Sequence, residues 1–305
     1  MKKRFASIVS ALALCAAGTC VSAAAPTLYG LLAHCDSWDK NTSNAGIYSF
    51  TPEENIVFTK EMATATMATA AYADGMLSGY NTVSFWGSVQ ATYRLYDCDS
   101  GELVQTKTYS GQQYEAISMA YNYADDTIYG IFVNAAGSGT RLCRVDMLTG
   151  APSEIAALTS TIIPYAMAFD NNGTLYCICD DAKLYTLSLD NAAITAIGNT
   201  GLSPKYSQSM FFNEESGKFY WAYMDADLNK ATPTAFYEID PKTAKATLVG
   251  NYEATTQIVA LYGPHNANAD APQAPTDAKL TYIANGSTGA KLEFTAPTKA
   301  NNGST

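Results

Sequence analysis

Histidines, paired acids and reactive cysteines are the residues that do chemistry, and this 305-residue chain has few of them in useful patterns. It holds only two histidines, His34 and His265, and no G-x-S-x-G run, so a serine nucleophile has no support. Glycoside hydrolysis needs two carboxylates about 5–10 Å apart, and the acids to weigh are Glu115 and Glu253. "DADLN" alternates Asp225, Asp227 and Asn229 as calcium loops do, but without their glycine and closing glutamate. It reads as solvated loop acids. Cys177 and Cys179 fall on one face of a strand with their sulfurs poorly placed to bridge, and no C-x-x-C pair suggests zinc. With Cys35, Cys98 and Cys143 they read as buried free thiols.

Aromatics beside amides and carboxylates are better represented. Trp38 sits among Asp36, Asp39 and Asn41; Tyr80, Asn81, Phe85 and Trp86 share one run; Tyr223 precedes Asp225. Tyr114 with Glu115, Tyr165, Tyr206 and Tyr252 lie ahead of apolar runs. An aromatic face takes the C–H face of a sugar ring, and neighbouring polar groups take its hydroxyls. The reading requires a fold that gathers them.

The first 23 residues read as a secretory signal peptide: basic "MKKR", an apolar run, then small residues around a cleavage point after Ala23. A lipid anchor at Cys15 or Cys20 is the rival; bulky Leu14 counts against the first. No later run is long and apolar enough for a membrane span. The net charge is −10, and loss of Lys2, Lys3 and Arg4 would deepen it. Such a chain repels phosphate backbones, which argues against a nucleic-acid partner.

The remainder repeats. "TAAY", "SMAY", "AMAF", "SMFF" and "VALY" each end a short run in an aromatic. A turn and a second run follow most of them, then a third such as "RLCRVD", a turn such as "DMLTG", and a fourth such as "SEIAALT". Four strands at intervals of roughly 43–50 residues are the signature of a β-propeller blade. Small residues on one side of the innermost strand (Ser118, Ala120) and large ones on the other (Met119, Tyr121) suit blades packed around an axis. "PTLYGLL" at 26–32 matches "DTIYGIF" at 126–132, a second strand without a first, whereas "QIVALYG" at 257–263 is a first strand without a second. Joining them predicts an all-β, five-bladed propeller over 24–265, closed by pairing the C-terminal strand with the N-terminal one.

First strands would then begin near Thr66, Glu115, Ile163, Lys205 and Thr256, with only Glu115 acidic and Glu253 a loose second. The two histidines would lie at opposite ends of the ring, as isolated surface residues. Long connections between second and third strands occur in blades five, one and two, which are neighbours in a ring. They would bring Asp36, Trp38, Asp39, Asn41, Tyr80, Asn81, Trp86 and Tyr223 to one face, joined by Tyr114, Glu115 and Tyr206.

Beyond the ring come a Pro/Ala-rich linker, 266–276, and two strand-like runs over 277–305. "LEFTAP" there resembles the L-x-W-x-x-P run of fibronectin type III domains, with Phe294 in the tryptophan place. A whole such sandwich needs on the order of 100 residues, so a truncated module of a longer protein is expected. With the leader and the "L-x-x-V-D-x-x-T-G" run from Leu142 to Gly150, the chain resembles exported surface proteins of gut anaerobes that join quinoprotein-like blade repeats to fibronectin-like modules. That resemblance implies the cell surface and glycan-related roles, and carries over no functional residue. A quinone or flavin site would want recurring tryptophans, of which there are three, so no cofactor or metal is expected. The expectation is a non-catalytic surface module binding glycan or protein, with a spacer role second and a glycosidase-like enzyme third.

Overall fold

The computed structural model of the protein describes residues 25–34, 44–85, 88–136, 139–225, 234–252, 256–265, 276–282 and 290–296. Among these every regular element is a strand, and no helix is long and apolar enough to cross a membrane. In chain order they are β1 (Leu28–His34), β2 (Gly46–Phe50), β3 (Thr59–Ala63), β4 (Thr69–Ala73), β5 (Met76–Phe85), β6 (Ser88–Asp97) and β7 (Leu103–Gln112). Then come β8 (Tyr114–Asn122), β9 (Thr127–Asn134), β10 (Thr140–Val145), β11 (Pro152–Ala157), β12 (Pro164–Phe169), β13 (Leu175–Cys179), β14 (Lys183–Leu187) and β15 (Ile194–Asn199). The last are β16 (Ser209–Asn213), β17 (Lys218–Met224), β18 (Thr234–Ile239), β19 (Ala246–Asn251), β20 (Gln257–Tyr262) and a hairpin, β21 (Thr276–Tyr282) with β22 (Ala290–Thr295).

Five antiparallel four-stranded sheets form a propeller: β20-β1-β2-β3 (blade 1), β4 to β7, β8 to β11, β12 to β15, and β16 to β19 (blade 5). The innermost strand of blade 1 is therefore β20, from the other end of the ring sequence, with Tyr29 opposite Tyr262 and Leu31 opposite Ala260. Inner strands β20, β4, β8, β12 and β16 each contact the next around the axis.

Five buried clusters hold the ring, one at each blade junction. Met167 and Phe169 of blade 4 pack with Ala120 of blade 3, and Met210 and Phe212 of blade 5 with Ala166 and Ala168 of blade 4. The large face of one inner strand thus fills the space left by the small face of its neighbour. Between third and fourth strands, an aspartate closes a tight turn. Asp146 Oδ1 accepts from the Thr149 amide and hydroxyl, both at 2.7 Å, and Gly150 adopts φ +70°. Asp97 with Gly101 repeats the arrangement.

Candidate functional site

The ring has two faces. Inner strands begin on the face where second strands run into third, and end on the face of the short first-to-second-strand turns. The sequence pointed to the first, the loop face. Asp36, Trp38, Asp39, Asn41, Trp86, Glu253, Asp227 and Asn229 lie outside the described residues.

Several of the others are not surface residues at all. Tyr80 is buried, donating its hydroxyl to the Gly150 carbonyl of the next blade. Asn81 is a ladder residue opposite Thr92, because "GYNTVSFWGSVQA" forms not a loop but the long hairpin of β5 and β6. Tyr80, Thr82, Val83 and Phe85, residue types that favour strands, sustain that pairing out to Phe85 and Ser88. Tyr223 is buried and donates to Asp225, which is itself buried, so Asp225 is a bonded core acid rather than a solvated one. Tyr252 is buried too, donating to the Tyr223 carbonyl at 3.1 Å. Tyr206 is exposed, at φ +63°, and Tyr114 lies under the Arg141 guanidinium at 4.1 Å. Glu115 stands at the start of β8, opposite Val133 of β9.

A better-formed concavity lies on the axis, opening toward the turn face. It measures about 230 Å³, and all five inner strands line it. Its depth is made of small residues, Ala71, Ala120, Ala168 and Ala260 among them. Its mouth carries the aromatics that end the inner strands: Tyr72, Tyr121, Phe169, Phe212 and Tyr262. Tyr72 and Tyr262 stack with centroids 3.9 Å apart and planes at 4°, and Tyr29 stacks behind Tyr262 at 5.4 Å.

The chain leaves β20 through Gly263, where a Cβ would meet Leu28 at 2.6 Å and Phe211 at 2.9 Å. That close approach leads to His265, which lines the cavity. Its ring stacks on Tyr123 at 3.5 Å and 20°, and its Nδ1 lies 2.5 Å from Oε1 of Glu214. Tyr123 in turn meets Tyr121 edge-on at 4.8 Å. His265 is therefore not an isolated surface histidine, although His34, paired in register with Gln257, does belong to the opposite end. Sequence reading missed Glu214, Tyr123 and His265 because they sit in turns of different blades. The recurring aromatic at the end of each inner strand was the available signal.

The electrostatics of the mouth favour neutral groups. Burial pushes the hydroxyls of Tyr72, Tyr123 and Tyr262 above the usual phenol range. Burial and the Asp126 carboxylate push Tyr121 up to about 12. These phenols stay protonated at neutral pH and serve as hydrogen-bond donors and apolar faces, not as bases. Two carboxylates line the cavity, Asp170 and Glu214. Asp170 Oδ1 is committed to its own turn, accepting from the amides of Asn172 at 2.9 Å and Thr174 at 2.8 Å. Among the described residues no group of three or more histidine, cysteine, aspartate or glutamate side chains is gathered to hold a metal. Cys98, Cys143, Cys177 and Cys179 are reduced, with Cys177 Sγ 3.9 Å from Cys179 Sγ; Cys35 lies outside the described residues.

No protein-family model matches the chain, and no curated protein sequence matches it. Solved structures do. A protein of unknown function from Bacteroides caccae is 14% identical with a TM-score of 0.45, over 78% of this chain and 98% of that one. A second, from Bacteroides thetaiotaomicron, is 16% identical at 0.39, over 73% of this chain and 49% of that one. An exo-β-1,3-galactanase from Phanerochaete chrysosporium is 11% identical at 0.48, over 81% and 67%.

Proposed function

We propose that this propeller is a non-catalytic binding module whose ligand, a glycan end, enters the axial cavity from the turn face. The observation that carries the reading is the collar of neutral phenols around the axial cavity, with a carboxylate–imidazole pair among its lining. The edges of the stacked Tyr72 and Tyr262 rings, with Phe169 and Phe212, offer an apolar wall to a sugar ring. Glu214, His265 and Asn171 supply acceptors and donors for hydroxyls. At about 230 Å³ the cavity is smaller than the roughly 300–1,000 Å³ of pockets for drug-sized ligands. It suits one ring, the tip of a chain. The acidic balance of the protein also favours a neutral ligand over a polyanion. Export to the cell surface belongs to this proposal, resting on the leader-like first 23 residues.

A second reading, glycoside cleavage, draws on the presence of both Asp170 and Glu214 in one cavity. It is the weaker one, since Asp170 already serves its turn and the phenols hold their protons.

The test is a glycan array probed with the full chain beside Glu214→Ala, His265→Ala and a Trp38→Ala/Trp86→Ala pair. Binding is expected to fall at least about tenfold in the first two, a loss of roughly 1.4 kcal/mol, and to persist in the third. Loss only in the tryptophan pair would move the site to the loop face. Release of reducing sugar would establish the enzyme instead, and a folded chain that binds nothing would leave a spacer.

A further inference from the structure

The axial cavity has a charge as well as a shape. It opens on the face of the turns that join first to second strands, which in blades 2 to 5 span 74–75, 123–126, 170–174 and 214–217. Those turns hold six carboxylates, Asp74, Asp125, Asp126, Asp170, Glu214 and Glu215, and no lysine or arginine. Lys218 follows at the start of β17, but its ammonium is paired with Glu238 of β18. Among the described residues that line the cavity the only base is His265, already set against Glu214.

The carboxylates come to the mouth from different blades. Asp170 of blade 4 and Glu214 of blade 5 line the cavity itself. Asp126 of blade 3 accepts from the Tyr121 hydroxyl at 3.2 Å, which holds it against the collar. Asp74 of blade 2 is felt across the blade boundary. Burial is the main reason that Tyr121 and Tyr123 keep their protons, and the Asp74 carboxylate adds to it for both. A field that reaches the phenols of the next blade also reaches a ligand lying between them.

Carboxylates ringing a hollow with apolar walls attract a cation into it and repel an anion. A neutral sugar would use the ring edges and the hydroxyls of the collar and leave the charges unanswered. A ring that carries an ammonium would use both, because ammonium donors to carboxylates make the stronger, charge-assisted kind of hydrogen bond.

We infer that the glycan end taken by the axial cavity is an amino sugar with a free ammonium group, in preference to its N-acetylated or hydroxyl counterpart. The inference rests on the glycan reading of that cavity and narrows it. The ring lies among the aromatic edges, the ammonium donates to Glu214 and Asp170, and Asp74 and Asp126 attract it from blades 2 and 3.

The experiment is calorimetric titration of the full chain with oligosaccharides whose terminal ring carries an ammonium, an acetamide or a hydroxyl at C2, in both gluco and galacto series. At low salt the ammonium form is expected to bind about tenfold or more tightly than the other two. Raising salt from about 0.01 M to about 0.15 M shortens the screening length from about 30 Å to about 8 Å, and should shrink that margin without moving the neutral pair. Asp74→Asn/Asp126→Asn removes two charges from outside the cavity lining. Both residues sit at positive φ, which asparagine also tolerates, and an amide oxygen can still accept from Tyr121. The double variant should cut the ammonium margin about fivefold and leave the acetamide and hydroxyl forms unchanged. A merely structural role would weaken all three together. If the three forms bind alike, the inference is overturned while the glycan reading stands. It is also overturned if the double variant keeps the full margin, or if a lysine-containing peptide binds as tightly as the amino sugar, since charge without the ring would then suffice. If the folded chain binds none of the sugars, the glycan reading fails and the inference fails with it.

Discussion

At the turn between third and fourth strands, the same backbone position is filled by Gly101, Gly150, Ala192 and Ala244, all at positive φ. The choice follows from what each residue faces. A Cβ on Gly150 would meet the Tyr93 ring at 2.2 Å, whereas Ala192 and Ala244 bury their methyl groups in blade junctions. Gly150→Ala combines left-handed strain with overpacking, and should cost about 2–5 kcal/mol. Ala244→Gly relieves strain but loses a buried methyl, each worth about 1 kcal/mol, so its net effect should stay within about 1 kcal/mol. Paired chemical-denaturation curves check both. Asp146 gives a pH test. Bonds from the Thr149 hydroxyl and amide hold its carboxyl below the ordinary value of 3.8. The folded state therefore binds this proton less readily than the unfolded chain does. Its contribution is complete above the ordinary value and is lost as pH falls through the lowered one. Asp146→Asn, which keeps an acceptor but does not titrate, should flatten the acid limb of a stability–pH curve. This turn was legible in the sequence because Asp-x-x-x-Gly is a local signal. The Glu214–His265 contact was not, for it joins two blades and no local rule relates them.

Among elements, the junction of blades 2 and 3 is held by hydroxyls as well as by packing. Tyr80, Tyr93 and Tyr109, from three successive strands of blade 2, donate to the carbonyls of Gly150, Met147 and Thr149 in a single turn of blade 3. One blade thus caps the orphan carbonyls of the next. Tyr93→Phe preserves the ring but leaves the Met147 carbonyl unmatched, at about 1–2 kcal/mol. A domain of this size should lose about 2–4 °C in Tm for each kcal/mol, which a thermal scan can read. The strands themselves were legible from their period and their turns. The hairpin of β5 and β6 was not, since Asn81, Ser84 and Gly87 made its polar middle resemble a loop while cross-strand pairing carried it. That misreading placed Tyr80 on a surface it never reaches.

For the whole molecule, ring closure is the step with the largest consequence. β20 serves three partners at once: it pairs with β1, and it packs against inner strands β4 and β16. Ile258 and Leu261 enter the junction with blade 5, and Val259 and Ala260 the junction with blade 2. The amide of Leu261 also donates to Ser209 Oγ of blade 5 at 2.7 Å. Without this strand two of the five junctions open together and β1 becomes a bare sheet edge. A chain ending at Tyr252 should therefore not behave as a ring missing one strand. It should expose two apolar clusters, bind a hydrophobic dye and lose its sharp thermal transition, while blades 3 and 4, whose shared junction is untouched, keep residual protection in hydrogen exchange. A peptide of residues 256–265 added in trans should restore the transition, because the closing contacts of β20 lie within that segment. It would also restore His265 to the cavity, so recovery of glycan binding along with the fold would tie the axial site to closure of the ring. Recovery of the fold without binding would separate the two.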